Sequence, residues 1–473
     1  MLEVYRDNKA LDSRCITQFD LSEEILMENA GIALKDLIKK VTHKGSVISI
    51  VCGGGNNGAD GYVLARQLSG DYKVRILVAK EPKSPLCIKQ YHRAMAVGVE
   101  CVKKLLPCDV VVDCLIGSGM QSRLDEKMQK IIAMMQGVGR IKIACDIPSG
   151  IDSNGVIKDC AFCADYTVAM GGISLALLSD FAKDYVGEII IGDLGVSRQK
   201  YSLPSQIKLL QKEDYNPPIR KKQASHKGDF GHLSVYAGER GGAGNLCGMA
   251  GLSFGVGSVS IVGNLHPYFA ELMYEKEVSS KTTAFCIGMG MLGSQEDSKD
   301  LTRSASLPKE FLDLPKQIPC VLDADILKNQ EIIEILQSYE NLVITPHYGE
   351  FLCLWELAFD EVLPKQKFLE NKFDYLMQWG ERFPKVVTLL KGANVVIAQK
   401  NKVFINPFGN VALAKAGSGD VLAGLIGALL AQGKTPLESA LQGSLSHSFG
   451  AQSFKEKNFA LRPLELLQEI KGA

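Results

Sequence analysis

The sequence has no excess of either charge. Its 53 Lys and Arg offset 53 Asp and Glu over 473 residues. No overall field therefore recruits nucleic acid or an anionic membrane, and any anion site must come from loops and helix ends. It also lacks a long uncharged apolar run: VLAGLIGALLA (421–431) stops well short of the roughly 20 residues that span a bilayer, and it follows Asp420. The N-terminal MLEVYRDNKALDSR has no apolar signal core. A cytoplasmic protein is expected, with no membrane and no nucleic acid among its partners. There is no cysteine framework either. The 13 cysteines are scattered, mostly in apolar runs such as SIVCG and VVVDCLIG, as buried free thiols in a reducing compartment are. The one tight pair, Cys160 and Cys163 in DCAFC, lacks the second pair that a zinc knuckle needs. Fixed-period repeats, heptad seams and low-complexity segments are absent too.

What is present is an ordinary globular balance, 46% hydrophobic and 22% charged, in a chain too long for one core. From residue 22 two periods alternate. Ile25, Leu26, Ala30, Ala33, Leu34, Leu37 and Ile38 recur at helical spacing behind Ser22, a plausible N-cap. SVISIVCG, KVRILVA, DVVVDCLIG and RIKIACDIPSG read as buried strands separated by helices. Continuous apolar strands alternating with helices predict a parallel sheet covered on both faces, and right-handed crossovers make it doubly wound. The alternation lapses around 197–230, where Pro, Lys and Gln accumulate, and then resumes through GHLSVYAG, GSVSIVG, TAFCIGMG, PCVLDAD, NLVITPH and VVTLLKGANVVIA. Two α/β domains are predicted, about 1–205 and 216–471. Ligands of such sheets bind at the carboxyl ends of the strands, so polar motifs there carry weight.

In the first half, CGGGNNGADG (52–61) follows a strand and opens a helix, and Gly53, Gly55 and Gly58 satisfy GxGxxG. A glycine-rich turn that only packs helix on strand explains that spacing equally well. A dinucleotide site would also carry an acid at the end of the second strand, whereas KVRILVA ends in Lys80, with Glu81 just beyond. The side chains say more. Asn56, Asn57 and Asp60 add amides and a carboxylate to the loop, VVVDCLIGSG delivers Asp113 followed by Gly117, Ser118 and Gly119, and IACDIPSGID delivers Asp146 and Ser149. Oxygen-rich, thiol-free ligation suits a hard cation, and the same carboxylates can exchange protons.

In the second half, AKAGSGDVLAG (414–424) places Asp420 at the mouth of a helix whose N–H groups can hold phosphate. A carboxylate there suits a kinase that orients an attacking hydroxyl, an enzyme that uses phosphate to discard an oxygen, or merely the helix dipole. LLKGANVVIA sets Lys391, Gly392, Ala393 and Asn394 in a hairpin-like turn fit for an adenine nucleotide. VITPHYGEF puts His347 after a strand with Glu350 close behind, and LDAD (322–325) ends a strand in two carboxylates, good for magnesium, water or a hydroxyl. GxxxxGK[ST] is absent, so a kinase-like site here is of ribokinase type and not a P-loop.

NNGADG, VVDCLIGSG and CDIPSGIDSNG, with MENAG upstream, resemble the signature segments of the NAD(P)H-hydrate epimerase domain over about 1–195. SHKGDFGHLSVYAG, GGAGNLCGMAGLSFG, LDADIL, TPHYGEF, LKGANVVIA and AGSGDVLAGLIGALLAQG are similar, in order, to the ADP-dependent NAD(P)H-hydrate dehydratase, a ribokinase-like domain, over about 225–450. The resemblance implies a Rossmann-like domain followed by a ribokinase-like one. In the first, Asn56, Asn57, Gly58, Ala59, Asp60, Gly117, Ser118, Gly119 and Asp146 would contact the hydrated dinucleotide, with Asp146 catalytic and potassium held by Asn57, Asp113 and Ser149. In the second, Ala243, Gly290, His347 and the catalytic Asp420 would contact the hydrate, and Lys391, Gly392, Ala393, Asn394 and Gly419 the adenine nucleotide, ADP with magnesium. The implied chemistry is interconversion of the two epimers of NADH or NADPH hydrate and dehydration of the S form, giving AMP and phosphate; a homo-oligomer is expected. This chain departs from the pattern at Ala59, where glycine is usual, at Ser174, where lysine often stands, and at GMGML (288–292), where Gly-Pro-Gly is common. The alternatives are a ribokinase-like kinase of a vitamin precursor with an accessory nucleotide-binding domain, and a nucleotide-binding regulator that turns nothing over.

Overall fold

A computed structural model describes residues 1–117, 119–120, 123–263, 266–291 and 307–472. The chain divides into two compact units, Glu3–Ser205 and Gln206–Ala473, the latter taking in Met1–Leu2.

In the first unit, β1 (Leu2–Tyr5) and β8 (Ile173–Ser174) pair in parallel, Val4 opposite Ile173. The main sheet holds β2 (Val47–Cys52), β3 (Lys73–Val78), β4 (Glu100–Val102), β5 (Cys108–Cys114), β6 (Gly139–Cys145), β7 (Tyr166–Met170) and β9 (Glu188–Gly192), in the order β4-β3-β2-β5-β6-β7-β9. Every neighbouring pair in it is parallel. The reversal of winding falls between β2 and β5, so the crevice where ligands settle opens beside the ends of those strands. The helix Glu23–Val41 begins at Ser22, whose Oγ accepts the Ile25 N–H at 3.3 Å. Its buried Leu26, Met27, Ala30, Leu34, Leu37 and Ile38 join the core, so the predicted stripe is the packed one.

In the second unit β10 (Ile207–Leu209), β11 (His232–Tyr236), β12 (Ser258–Val262), β13 (Met273–Glu275), β14 (Ala284–Ile287), β15 (Cys320–Leu322), β16 (Leu342–Ile344), β17 (Val386–Leu390), β18 (Val395–Gln399) and β19 (Lys402–Asn406) lie in the order β13-β12-β11-β14-β15-β16-β17-β18-β19-β10. The central strands are parallel, while β17, β18 and β19 run antiparallel through the tight turn at 391–394. The three-residue β10, inside the polar stretch where the pattern lapses, pairs with β19; IKL is too short for periodicity to reveal. The helices Gly241–Ser253, Ser418–Ala431 and Pro436–Ser453 pack together over this sheet. A Cβ on Gly424 would run into the Cys247 carbonyl, so the first two approach closely because that residue has no side chain. Both tryptophans, Trp355 and Trp379, are buried around Phe351, which places them in the core. All thirteen cysteines are free thiols: nine are buried, Cys160, Cys163 and Cys353 are half-buried, and Cys101 is exposed.

Candidate active sites

In the first unit the glycine-rich loop is tight because it must be. A Cβ on Gly53 would strike the Leu115 carbonyl, and one on Gly58 the Gly53 carbonyl. The loop therefore lies directly against the end of β5 and starts the helix Asn56–Leu68 there. A cleft of about 890 Å³ opens above it, lined among others by Asn56, Asn57, Asp60, Gly117, Gly119, Asp146 and Ser174. Gly58 and Ala59 are buried beneath it in the helix, where alanine fits as well as glycine. Ser118 lies outside the described residues.

Asp146 follows β6 with φ +67°, a left-handed conformation uncommon outside glycine, and its N–H donates to the Val168 carbonyl at 2.8 Å. Backbone strain of this kind concentrates at functional positions. Asp113, fully buried, accepts three bonds: from Ser149 Oγ at 2.7 Å, Ser149 N–H at 2.7 Å and Leu115 N–H at 3.0 Å. Burial nonetheless pushes its carboxyl up to about 6. Ser149 Oγ also accepts the Ile116 N–H at 2.8 Å. Asn57 is different: its amide oxygen and nitrogen are both buried with no hydrogen-bond partner. A buried polar side chain left unmatched calls for an explanation, of which a bound water or ion is one. The set offers a neutral amide oxygen, a hydroxyl and a carboxylate, which fits a large monovalent cation.

Sequence reasoning missed the opposite wall. Asn8, Asp12 and Ser13 from the N-terminal segment line the same cleft. Asn8 donates to the carbonyls of Met170 at 3.0 Å and Gly172 at 2.8 Å, and Tyr201 Oη donates to Asp12 Oδ1 at 2.8 Å. Burial, opposed by that Tyr201 bond and reinforced by Asp146, raises Asp12 above its usual range. Burial and then Asp146 push Asp60 well above its own, against the Cys145 thiol that faces it at 3.8 Å. Asp12 and Asp60, both held above their usual range, thus share the cleft with Asp146. Ser174 cannot supply a cation there; its hydroxyl accepts the Ala176 N–H at 3.4 Å and starts a short turn.

In the second unit the quoted helix spans Ser418–Ala431 with Gly417 at φ +89° just before it, a conformation only glycine takes without strain. Asp420 sits in the first turn. Burial and then Asp323 push its carboxyl up to about 6, partly offset by Lys391. Asp323, buried at the end of β15, accepts Lys391 Nζ at 2.6 Å and Thr345 Oγ1 at 2.7 Å. Burial pulls the Lys391 ammonium down, but Asp323, Glu350 and Asp420 together carry it above its usual value, so it is a fixed cation. A Cβ on Gly419 would lie 3.4 Å from that ammonium, which places the helix N-terminus, Lys391 and Asp420 around one point. Of the LDAD carboxylates, Asp323 is thus paired with Lys391 through Oδ1.

Gly290 and Ala243 meet, since a Cβ on the former would be 3.2 Å from that of the latter. Met289 between the two glycines of GMGML is buried. Gly392 lies against Tyr348, Ala393 against Gly409, and Asn394 is buried. His347 caps the helix Tyr348–Phe359: its Nδ1 accepts the Glu350 N–H at 3.1 Å, and Glu350 Oε2 accepts the His347 N–H at 2.8 Å. Its ring is half exposed beside the Lys391 turn, whose N–H donates to the Pro346 carbonyl at 2.9 Å. His447 carries no motif by which its role could be read. Buried on the helix Pro436–Ser453, it brings Nε2 to 3.0 Å from both the hydroxyl and the carbonyl of Ser418. Burial lowers it to about 4, so it is neutral at pH 7 and fastens the helix N-terminus as an uncharged donor. Among the described residues no cluster of three or more His, Cys, Asp or Glu could hold a metal, and no helix is long and apolar enough to cross a membrane.

Each unit thus carries a polar site: a carboxylate-lined cleft in the doubly wound unit, and a helix N-terminus beside a carboxylate and a lysine in the other α/β unit. Residues 233–472 match the family described as NAD(P)H-hydrate dehydratase, and residues 23–176 the family described as YjeF-related protein N-terminus. The chain is 42% identical to the bifunctional NAD(P)H-hydrate repair enzyme Nnr of Helicobacter pylori over the full length of both, and 29% identical to that of Escherichia coli over 90% of this chain and 84% of the relative. Of solved structures, the ADP/ATP-dependent NAD(P)H-hydrate dehydratase of Bacillus subtilis, co-crystallised with ATP/Mg2+, is similar with 25% identity and a TM-score of 0.44, covering 53% of this chain and 91% of that one. The chain belongs to the family of bifunctional NAD(P)H-hydrate repair enzymes.

Proposed function

We propose that the first unit interconverts the epimers of NADH and NADPH hydrate and that the second dehydrates the S epimer at the expense of ADP. The observation that carries the second half is the meeting of Asp420, Lys391 and the N-terminus of Ser418–Ala431 at one point. Hydroxide is a poor leaving group and phosphate a far better one. The helix N–H groups and Lys391 hold the phosphates of ADP, and Asp420 orients the hydroxyl of the hydrated ring and takes its proton. A bond forms between that oxygen and the β-phosphorus while the bond to AMP breaks. The ring carbon then releases phosphate, its neighbour loses a proton, and the dihydropyridine is restored. Ala243, Gly290 and His347 border the hydrate, and Gly392, Ala393, Asn394 and Gly419 the nucleotide. Magnesium arrives on the phosphates of ADP.

In the first unit Asp146 moves a proton at the hydrated carbon as the ring opens and closes. The half-buried acids Asp60 and Asp12 take the place of the absent lysine as its proton reservoir, and Asn56, Gly117 and Gly119 border the dinucleotide. Asn57, Asp113 and Ser149 would hold potassium, which supplies positive charge beside the substrate. The unmatched amide of Asn57 supports this. Millimolar potassium is expected to raise the melting temperature of the first unit, because an ion bound only by the folded state stabilises it by about 2.7 kcal/mol at a hundred times its dissociation constant. Asn57→Ala abolishes that shift; an equal shift in the variant would remove potassium from this site.

The whole reading is tested by following reduced-nicotinamide absorbance from an epimeric mixture of NADH hydrate. Full recovery that requires ADP supports both activities in one chain. Recovery that stalls at one epimer, beyond spontaneous exchange, would leave a dehydratase with no epimerase beside it, and a stable phosphorylated product would make the second unit a kinase.

A further inference from the structure

The first sheet runs β4-β3-β2-β5-β6-β7, the strand order in which a dinucleotide lies across the crevice. In that order the glycine-rich turn follows the first strand, and the residue after the neighbouring second strand reads the adenosine ribose. Here β2 feeds the glycine-rich loop and β3 is its neighbour. An acid after the second strand accepts from a free 2′-hydroxyl, while a cation there accommodates a 2′-phosphate. The residues that line the cleft at this end are Lys80, Lys83 and Ser84. Glu81, the acid nearest to hand, is exposed and is not among them.

The segment is held in place rather than draped. The N–H groups of Lys83 and Ser84 donate to the Gly54 carbonyl at 2.8 and 3.4 Å, and Ser84 Oγ donates to Asn56 Oδ1 at 3.1 Å. Asn56 in turn donates to Glu23 Oε1 at 2.7 Å. A Cβ on Gly54 would sit 3.6 Å from that of Lys80, so the lysine stems leave from the floor of the glycine-rich loop. Asp12, Asp60 and Asp146 line the same cleft, as do Asp7, Lys9 and Glu23. Lys80 and Lys83 are thus the cations that the β3 side brings to the cleft, and a phosphate on the dinucleotide is the group they fit.

We propose that Lys80 and Lys83 seat the ribose 2′-phosphate of hydrated NADPH, so that the first unit turns over NADPH hydrate in preference to NADH hydrate. This rests on the epimerase reading of the cleft. Two ammonium groups on one phosphate make charge-assisted bonds, the stronger kind, and NADH hydrate offers them nothing.

The test uses the full chain with ADP and an epimeric mixture of either hydrate. A fast phase of absorbance recovery reports the second unit consuming the S form. A slow phase reports the first unit supplying more of it. In Lys80→Ala/Lys83→Ala the slow phase for NADPH hydrate is expected to lose at least about tenfold in kcat/KM, while that for NADH hydrate stays within about threefold and the fast phase is unaltered. Retention of the NADH-hydrate phase also shows that the first unit is folded. An equal loss for both hydrates would assign the lysines to the shared pyrophosphate and overturn the proposal, as would no loss for either. A slow phase in the unmodified chain no faster than spontaneous exchange would overturn the epimerase reading, and this inference with it.

Discussion

Asp420→Asn is expected to abolish dehydration while making the second unit more stable. The loss should reach about 10²- to 10⁴-fold, the usual worth of a positioned proton acceptor, with ADP binding held within about tenfold because the helix N–H groups and Lys391 remain. The gain in stability has a separate cause. Burial and Asp323 push the folded carboxyl up from the usual carboxylate range to about 6. The folded state therefore binds the proton more tightly than the unfolded chain. The contribution of this carboxyl to stability is greatest below about pH 4, falls as pH rises through about 6, and stays reduced above it. At about 1.4 kcal/mol per pH unit, and allowing for partial exposure, the cost at neutral pH is on the order of 2 kcal/mol. The asparagine variant escapes it, so its melting temperature at pH 7.5 should exceed that of the unmodified chain by about 4–8 °C, with no difference near pH 4. In the unmodified chain kcat/KM for dehydration should fall with one proton below about pH 6. A variant that loses both ADP binding and activity, or is less stable at pH 7.5, would contradict the assigned role.

Asp146→Asn should act on the other unit alone. Epimer exchange is expected to slow by about 10²- to 10⁴-fold, toward the spontaneous rate. The purified S epimer should still be dehydrated at the normal rate. In the epimeric mixture the fast phase of recovery keeps its amplitude and the slow phase lengthens. Asp60→Asn and Asp12→Asn should alter the pH profile of that slow phase more than its maximum, because they surround Asp146 rather than replace it. Equal damage to both activities by Asp146→Asn would mean that the two sites do not work independently.

The strands, the helices between them and the loops at their carboxyl ends were legible because parallel sheets need continuous apolar runs, and a backbone-tight turn needs glycine. Gly53 against Leu115, and Asp113 and Asp146 at the ends of neighbouring strands, follow from that pattern alone. Partners remote along the chain were not legible. Lys391 and Asp323 lie 68 residues apart, and only the sheet order, which brings β15 and β17 to either side of β16, makes them an ion pair. LDAD therefore looked like a free carboxylate pair. Asp12 and Asn8 were invisible because their helix, Lys9–Gln18, buries only Leu11 and Cys15 and has no motif; the pairing of β1 with β8 brings that segment to the cleft. His447 reads as one more residue of the small-residue helix SLSHSFG, and its use emerges only when the Ser418 carbonyl is found above it. β10 is three residues long and polar at its centre, which no period can reveal.

The claim that most needs testing is that a phosphoryl group is placed on the hydroxyl before it leaves. NADH hydrate carrying ¹⁸O in the ring hydroxyl, incubated with the full chain and ADP, decides it by mass analysis of the products. The label is predicted in inorganic phosphate, one atom for each NADH recovered and each AMP formed. Label released into water, with ADP intact or hydrolysed independently, would contradict the phosphorylation step and the role of Asp420 with it.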